Sequence, residues 1–363
     1  MGNVSNSCRM FLGKSIPFNC LCFFCRNKIK MTDANIVRET DIIWKNKIAR
    51  FYSKYGMFLI LAVMIVLSTA ISDIFFTRTN ISNVLRNMAV SSLAAFGVTF
   101  LLILGMIDLS SGSVMALAGC ICCIVIRDTG SLVLGFSSGI LIGGLTGIFN
   151  GAIVAYLRIP AFIITLATME MARGAALLVT DGYPVAGMGD TFKIFGQGYV
   201  DKWNIVPTPI VVMFMFLLIS AVILNRTKLG RYVFAVGGNE NAARASGVNI
   251  KRTVISAFVI NGLMVGLAGI MLMSRINSGQ PSGATGYEFD AITAAVVGGT
   301  SLMGGSGTMT GTFIGGLIVG VLNNMLNLQQ VSSFWQMVVK GAIIALAVIV
   351  DFKTKAVLQK QSS

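Results

Sequence analysis

Several stretches of the chain lack charged residues over about the 20 positions that a helix needs to cross a lipid bilayer. The clearest are 87–107, 129–157, 203–225 and 253–274. Helices of a water-soluble protein would show apolar stripes rather than unbroken apolar runs. The sequence therefore predicts an all-α polytopic membrane protein. Glycine at 40 of 363 positions fits this class, because small residues let membrane helices pack closely.

Positive charge is concentrated in three segments. Residues 1–56 hold ten Lys/Arg against three Asp/Glu, residues 226–253 six against one, and residues 351–363 three against one. These excesses account for the whole net charge of +14. The positive-inside rule places all three segments, with Lys353 and Lys355, in the cytoplasm, so charge is better explained by orientation than by binding to nucleic acid.

Two cytoplasmic ends require an even number of spans, and ten predicted spans satisfy this condition. They are 57–76, 87–107, 110–126, 131–157, 161–180, 208–225, 254–274, 289–303, 307–327 and 334–350. The predicted organisation is a cytoplasmic segment 1–56, a transmembrane domain 57–352 with a cytoplasmic loop 226–253, and a cytoplasmic tail 353–363. Outside the membrane lie 181–207 and 275–288, whose aromatic residues (Tyr183, Tyr199 and Trp203) either anchor the interface or dock an external protein.

The first 30 residues are predicted to be a dispensable extension, because Met31 begins an ordinary polar leader. Their four cysteines include a C-x-C-x-x-C cluster, but the chain has no histidine to complete a metal site. CRMFLGKS resembles a phosphate-binding loop without its first glycine or preceding strand. The absence of histidine also excludes His-dependent zinc sites and Ser-His catalysis. Cys120, Cys122 and Cys123 are interpreted as small apolar filler.

Polar residues interrupt the apolar spans at two related Gly/Ser clusters. GMIDLSSGSVMALAG contains Asp108, Ser110 and Ser111, and GGTSLMGGSGTMTG covers 298–311. Irregular backbone at membrane depth survives only when buried in protein or lining a cavity. The two clusters therefore indicate either a central pathway or tight turns at the cytoplasmic edge.

Other polar side chains fall within the predicted spans. Glu170 and Arg173 share one helix face and are interpreted as a neutralised structural pair. Lys340 has no evident partner and is expected near a group of amides that bind substrate hydroxyls or bridge helices. These amides are Asn323, Asn324, Asn327 and Gln336.

Glycines recur at four-residue spacing in two spans and are predicted to form smooth faces for helix packing. They are Gly139, Gly143, Gly147 and Gly151 in the fourth span, and Gly311, Gly315, Gly316 and Gly320 in the ninth.

The cytoplasmic loop contains GGNENAARASG, which predicts a short capped helix over about 239–246. Asn239 suits the N-cap, Glu240 the positive end of the helix dipole, and Gly247 the left-handed C-terminal position. A helix of about two turns is unstable alone in water, so it requires something to pack on it.

This loop, as TKLGRYVFAVGGNENAARASGVNIKR, resembles the cytoplasmic coupling segment of permeases from binding-protein-dependent sugar ABC importers, the ribose permeases among them. LRIPAFIITLATM and VSSFWQMVVKGAI match the same pattern, and the resemblance covers about 55–352. It implies a bacterial cytoplasmic membrane, a second permease chain, an ATPase subunit that uses ATP and Mg²⁺, and an extracytoplasmic sugar-binding protein. This chain is expected to bind no cofactor itself.

The resemblance also implies which residues contact the ATPase: Gly238, Asn239, Glu240, Ala243, Arg244 and Gly247. Possible pathway residues are Asp108, Ser110, Ser111, Asn323, Asn324 and Gln336. The alternative is a stand-alone ion-coupled sugar transporter, for which Glu170 is the central carboxylate. A membrane enzyme is disfavoured because the spans contain no catalytic cluster.

Overall fold

The computed structural model describes residues 56–201 and 205–362, with side chains as far as residue 349 apart from residue 347. Helices dominate these ranges, which confirms the predicted all-α membrane protein. The predictions for residues 1–30, their cysteines, the phosphate-loop-like stretch and Trp203 lie outside the described residues.

Thirteen helices cover most of the described ranges. They are α1 (Gly56–Ile71), α2 (Arg78–Ile103), α3 (Ser111–Thr129), α4 (Leu132–Leu157), α5 (Ala161–Val179), α6 (Asp190–Gln197), α7 (Thr208–Arg226), α8 (Lys228–Gly238), α9 (Glu240–Ala245), α10 (Ile250–Ile276), α11 (Tyr287–Val297), α12 (Met309–Leu328) and α13 (Ser333–Ser362).

Every predicted span overlaps a helix, and seven of the described helices are long and apolar enough to cross a membrane. Several helices depart from the predicted bounds of their spans, and two of these departures have a clear physical reason. The second span begins at Arg78 rather than 87, because the Thr77 side chain caps α2 and the charges of Arg78 and Arg86 do not end the helix. The eighth predicted span, 289–303, is helical only as far as Val297.

Helix α2 lies at the centre of the fold, since nearly every residue from Met88 to Ile103 is buried. The predicted glycine face of α4 packs on α10 at backbone distance. A Cβ at Gly143 would overlap the carbonyl of Gly262, and one at Gly147 would overlap that of Phe258. The interpretation of these glycines as packing residues is confirmed.

The glycines of α12 pack in two directions. Gly315 faces the Ala294 carbonyl on α11, whereas Gly316 and Gly320 face Ser92 and Met88 on α2. Since a side chain at any of them would press on a neighbour, α12 is held between α11 and the central helix.

The two predicted outer segments form one layer. Val185 and Gly279 exchange backbone hydrogen bonds of 2.9 and 2.8 Å. Ser274 at the end of α10 donates to the Phe192 carbonyl on α6. Cys120, Cys122 and Cys123 lie buried and free beneath this layer, as filler.

Candidate functional site

The first break in the helices, between α2 and α3, is organised around the Asp108 carboxylate, which is 2% exposed. The Ser110 amide and hydroxyl donate to it at 2.8 and 2.6 Å, and the Ser111 hydroxyl at 3.0 Å. The side-chain amide of Asn261 on α10 donates at 2.5 Å. Four donors converge on one acceptor, so this charge is satisfied by hydrogen bonds.

The same network reaches α4 and α5. Asn150 donates to the Ser110 hydroxyl at 3.3 Å and accepts from the Thr168 hydroxyl at 2.6 Å. One turn earlier on α5, the Thr165 hydroxyl accepts from the Leu109 amide at 3.2 Å. The break is therefore fastened to three helices, which satisfies its backbone and side chains inside the protein.

The second break, 298–308, lies directly against the first. The Gly305 amide donates to the Ile103 carbonyl at 2.8 Å. The Gly304 backbone lies beside the Gly237 carbonyl, and a Cβ at Gly237 would overlap the Ile103 carbonyl. We call Ile103, Gly237, Gly304 and Gly305 the glycine junction. It brings both predicted breaks to the base of the 226–253 loop.

Helix α9 has the predicted N-terminus. The Asn239 side chain accepts from the Ala242 amide at 3.0 Å, which satisfies one of the free amides of the first turn. Glu240 and Arg244 form an ion pair of 2.5 Å across one turn, with about half of each side chain exposed. Such an exposed pair stabilises a helix by only ~0.3–0.5 kcal/mol, so both charges are available to a partner.

The end of α9 is a Schellman motif. Gly247 has a φ of 81°, and its amide donates to the Arg244 carbonyl at 3.0 Å. The Val248 amide donates to the Ala243 carbonyl, also at 3.0 Å, and Ala243 is buried on the protein. Gly238, the last residue of α8, leaves open space where a Cβ would stand. The loop therefore presents a rigid, separately capped helix.

A cavity of about 860 Å³ opens beside α9. Its walls are α9, the first break, the α4–α5 turn and the start of α10. Arg158, Arg244 and Lys251 line it together with Glu240, so positive charge predominates. This surface suits a partner that brings acidic side chains.

The predicted pathway amides bridge helices. Asn323 donates to Asp290 at 3.2 Å, and Asn324 exchanges two hydrogen bonds with Asn80. Gln336 donates to Asn327 at 2.9 Å. Each of these amides is bound to another side chain, so the structure favours the helix-bridging alternative.

Lys340 has a partner that the sequence analysis missed. Its ammonium group lies 2.9 Å from Asp290, which belongs to α11 and is 7% exposed at its side chain. Lys340 lies near Asn323, as expected, because both donate to Asp290. The carboxylate partner itself was not predicted, since the short helix α11 turns Asp290 towards α13.

The predicted Glu170–Arg173 pair forms no direct salt bridge, although the two side chains interact electrostatically. Arg173 donates from one guanidinium nitrogen to the Pro281 carbonyl at 2.5 Å and to the Gly283 carbonyl at 2.9 Å. No salt bridge joins it to Glu170 among the side chains described. Arg173 therefore fastens the outer loop, and Glu170 is exposed.

Comparison with known proteins gives the family. Over residues 80–348 the chain matches the family described as a branched-chain amino acid transport system permease component. The chain belongs to this permease family. The ribose import permease protein RbsC of Haemophilus influenzae is 41% identical over 309 residues, 84% of this chain and 95% of RbsC.

Two further relatives of this permease carry names of sugar transport. RbsC of Bacillus subtilis is 42% identical over 305 residues, 84% of this chain and 94% of RbsC. The L-arabinose transport system permease protein AraH of Escherichia coli is 42% identical over 308 residues, 85% of this chain and 93% of AraH. No solved structure matches the chain.

Sequence reasoning missed several residues of this permease site. Asn150 and Asn261 are polar residues inside long apolar runs, a signal that could have marked them as members of a buried network. Gly237 gave no such signal, because only the fold shows that it touches Ile103.

Proposed function

We propose that this permease is the membrane-spanning subunit of an ATP-driven sugar importer, with ribose or a related monosaccharide as substrate. Separate capping of α9 and the contact of the preceding end of α8 with both helix breaks support the proposal. The names of the relatives, ribose and L-arabinose permeases, support the substrate class.

The partners follow from this role. An ABC ATPase subunit docks on α9 and on the basic cavity beside it, and hydrolyses ATP with Mg²⁺. An extracytoplasmic binding protein delivers sugar to the outer layer, and a second permease chain completes the pathway. The protein resides in the bacterial cytoplasmic membrane with ten spans and both ends inside, an arrangement supported by the charge distribution.

Coupling begins where the ATPase moves α9. The buried Ala243 and the backbone contact of Gly237 leave little freedom between this helix and the ends of α2 and α11. Displacement of α9 therefore moves the glycine junction and, through Ile103, the helix that precedes Asp108. Alternating access results when the ends of α2 and α11 move together.

The test reverses the two charges of α9. Glu240→Lys and Arg244→Glu are each expected to lower ATP-dependent uptake in reconstituted vesicles about tenfold, since a charge pair across an interface contributes ~1.5 kcal/mol or more. The double exchange restores the ion pair within α9 but not its contacts with the ATPase. It is therefore expected to remain defective.

Full uptake in the double exchange would show that the pair serves only the helix, and normal uptake in both single variants would contradict the assignment of α9. Uphill uptake by the purified permease without any ATPase, driven by an ion gradient, would establish the secondary-transporter alternative instead.

A further inference from the structure

Glu170 stands on the side of α5 that faces away from this chain. The buried residues of α5 form one stripe: Ala161, Thr165, Thr168, Ala172 and Ala176. Glu170 lies two positions from both Thr168 and Ala172, and two positions correspond to about 200° around a helix of 3.6 residues per turn. Its carboxylate therefore points directly away from the packed stripe and is exposed.

Its position along α5 prevents the carboxylate from reaching the membrane surface. Glu170 is the central residue of a 19-residue helix, about 14 Å from either end at 1.5 Å per residue. A glutamate side chain is far too short to cover that distance, whereas ionised groups facing hydrocarbon are costly and rare. Lipid is consequently an unfavourable neighbour for this face.

No cation within the described residues forms a direct ion pair with Glu170. Arg173, one turn away, is committed to the Pro281 and Gly283 carbonyls. The same outward face carries Gly174, where an added Cβ would meet nothing within 4 Å. The carboxylate thus has no direct ion-pair partner among the described residues and is open to whatever lies outside this chain.

We propose that the Glu170 face of α5 lines a water-filled pathway, where the carboxylate accepts hydrogen bonds from the hydroxyl groups of a neutral sugar. Water satisfies the charge between transport events, and the sugar hydroxyls replace that water in passage. The other wall comes from a second permease chain, so this inference rests on the proposed function. It assigns to the permease a contact with the substrate that its bridging amides do not supply.

Accessibility tests the location. We compare Glu170→Cys with the control Leu145→Cys, which lies at the middle of α4 on an exposed apolar face. Both variants are made in assembled transporter in which the four N-terminal cysteines are replaced by serine. A negatively charged methanethiosulfonate should modify Glu170→Cys at least about tenfold faster than Leu145→Cys, since a thiol ionises to the reactive thiolate only in contact with water. Excess D-ribose should slow that reaction. Equal rates at the two positions would overturn the proposal.

Substitution tests the contact. Glu170→Met is expected to lower the sugar carried per ATP hydrolysed about tenfold, the value of one hydrogen bond to a charged group. Glu170→Gln keeps an acceptor oxygen and should retain most of the wild-type ratio, as should the control Leu145→Met. A Glu170→Met variant equal to wild type would refute the sugar contact.

The two proposals fail separately. Labelling of Glu170→Cys requires no ATP hydrolysis, so its result stands if the energy source is misassigned. Failure of labelling in a transporter that retains ATP-dependent uptake removes the pathway assignment alone.

Discussion

Asp108 shows how a single carboxylate organises irregular backbone inside a membrane protein. A carboxylate only accepts hydrogen bonds, and here every neighbour within reach is a donor from Ser110, Ser111 or Asn261. The sequence marked Asp108 as unusual because it follows an uncharged span. It could not show that Asn261, which is 153 positions distant, is the partner of Asp108.

Asp108→Asn tests this arrangement. The asparagine amide keeps one acceptor oxygen and adds two N–H donors. The donors of Ser110, Ser111 and Asn261 would then face these N–H groups. We expect a loss of at least about 2 kcal/mol in the stability of the purified protein, because each unsatisfied buried group costs ~1–3 kcal/mol. Thermal unfolding in detergent is the measurement. Asp73→Asn, at an exposed turn, is the control, and equal melting temperatures for the two variants would exclude the proposed role of Asp108.

Short elements of this fold divide into those the sequence specifies locally and those it does not. α9 was predictable because Asn239, Glu240 and Gly247 supply both caps within nine residues. The end of α11 was predicted less well: the Gly/Ser cluster 298–311 marked a break, but residues 291–339 are uncharged and the eighth span was extended to 303. The chain leaves the helix at Gly298 and Gly299, the latter with a φ of 83°, because Gly298 packs on the Gly311 backbone of α12.

Two adjacent glycines of α4, Gly143 and Gly144, have different surroundings at the contact with α10 and so provide a matched test. A Cβ at Gly143 would overlap the Gly262 carbonyl, whereas one at Gly144 would meet only the flexible Leu263 side chain at 3.2 Å. We expect Gly143→Ala to destabilise the protein by about 1–3 kcal/mol through overpacking. Gly144→Ala should be close to wild type. Thermal unfolding compares them, and the reverse order would contradict the packing described.

Helix α8 ends in a second matched pair. Gly237→Ala would force the α8 end away from the Ile103 carbonyl, while Gly238→Ala enters open space. We expect Gly237→Ala to lower the unfolding free energy by about 1–3 kcal/mol and to reduce ATP-dependent uptake. Gly238→Ala should retain wild-type stability in the purified permease. If Gly237→Ala is as stable and active as wild type, the glycine junction does not transmit force.

At the level of the whole molecule, the charge distribution predicts the orientation in the membrane, but it does not predict which residues contact one another. By the positive-inside rule, the basic segments predict that both ends and the 226–253 loop lie on one side of the membrane. The Asp290–Lys340 ion pair could not be foreseen, because its members are 50 positions apart and meet only after α11 and α13 pack. Composition thus predicts the class of fold, which the structure confirms, and the side of each loop, which stays a prediction. Partners of buried polar groups depend on the assembled helices.

Ten spans with both ends inside make a measurable prediction. Single cysteines at Ser246, in the loop, and at Ser363 should be protected from a membrane-impermeant thiol reagent in intact cells and react after permeabilisation. A cysteine at Ser282 in the outer segment should react in both preparations. Reaction of the Ser363 position in intact cells would require an odd number of spans.

Helix α10 begins five residues after α9 and extends to the outer layer, about 40 Å away for its 27 residues. Its far end is bound to α6 through Ser274, and its flank is locked to α4 by glycines. Helix α10 thus joins the proposed ATPase-docking helix α9 to the outer layer, where we propose that the sugar-binding protein docks. Thermodynamic linkage makes such a connection symmetric. In the proposed importer, a binding protein docked at the outer end therefore shifts nucleotide affinity at the inner end by the same factor with which nucleotide shifts the affinity for the binding protein.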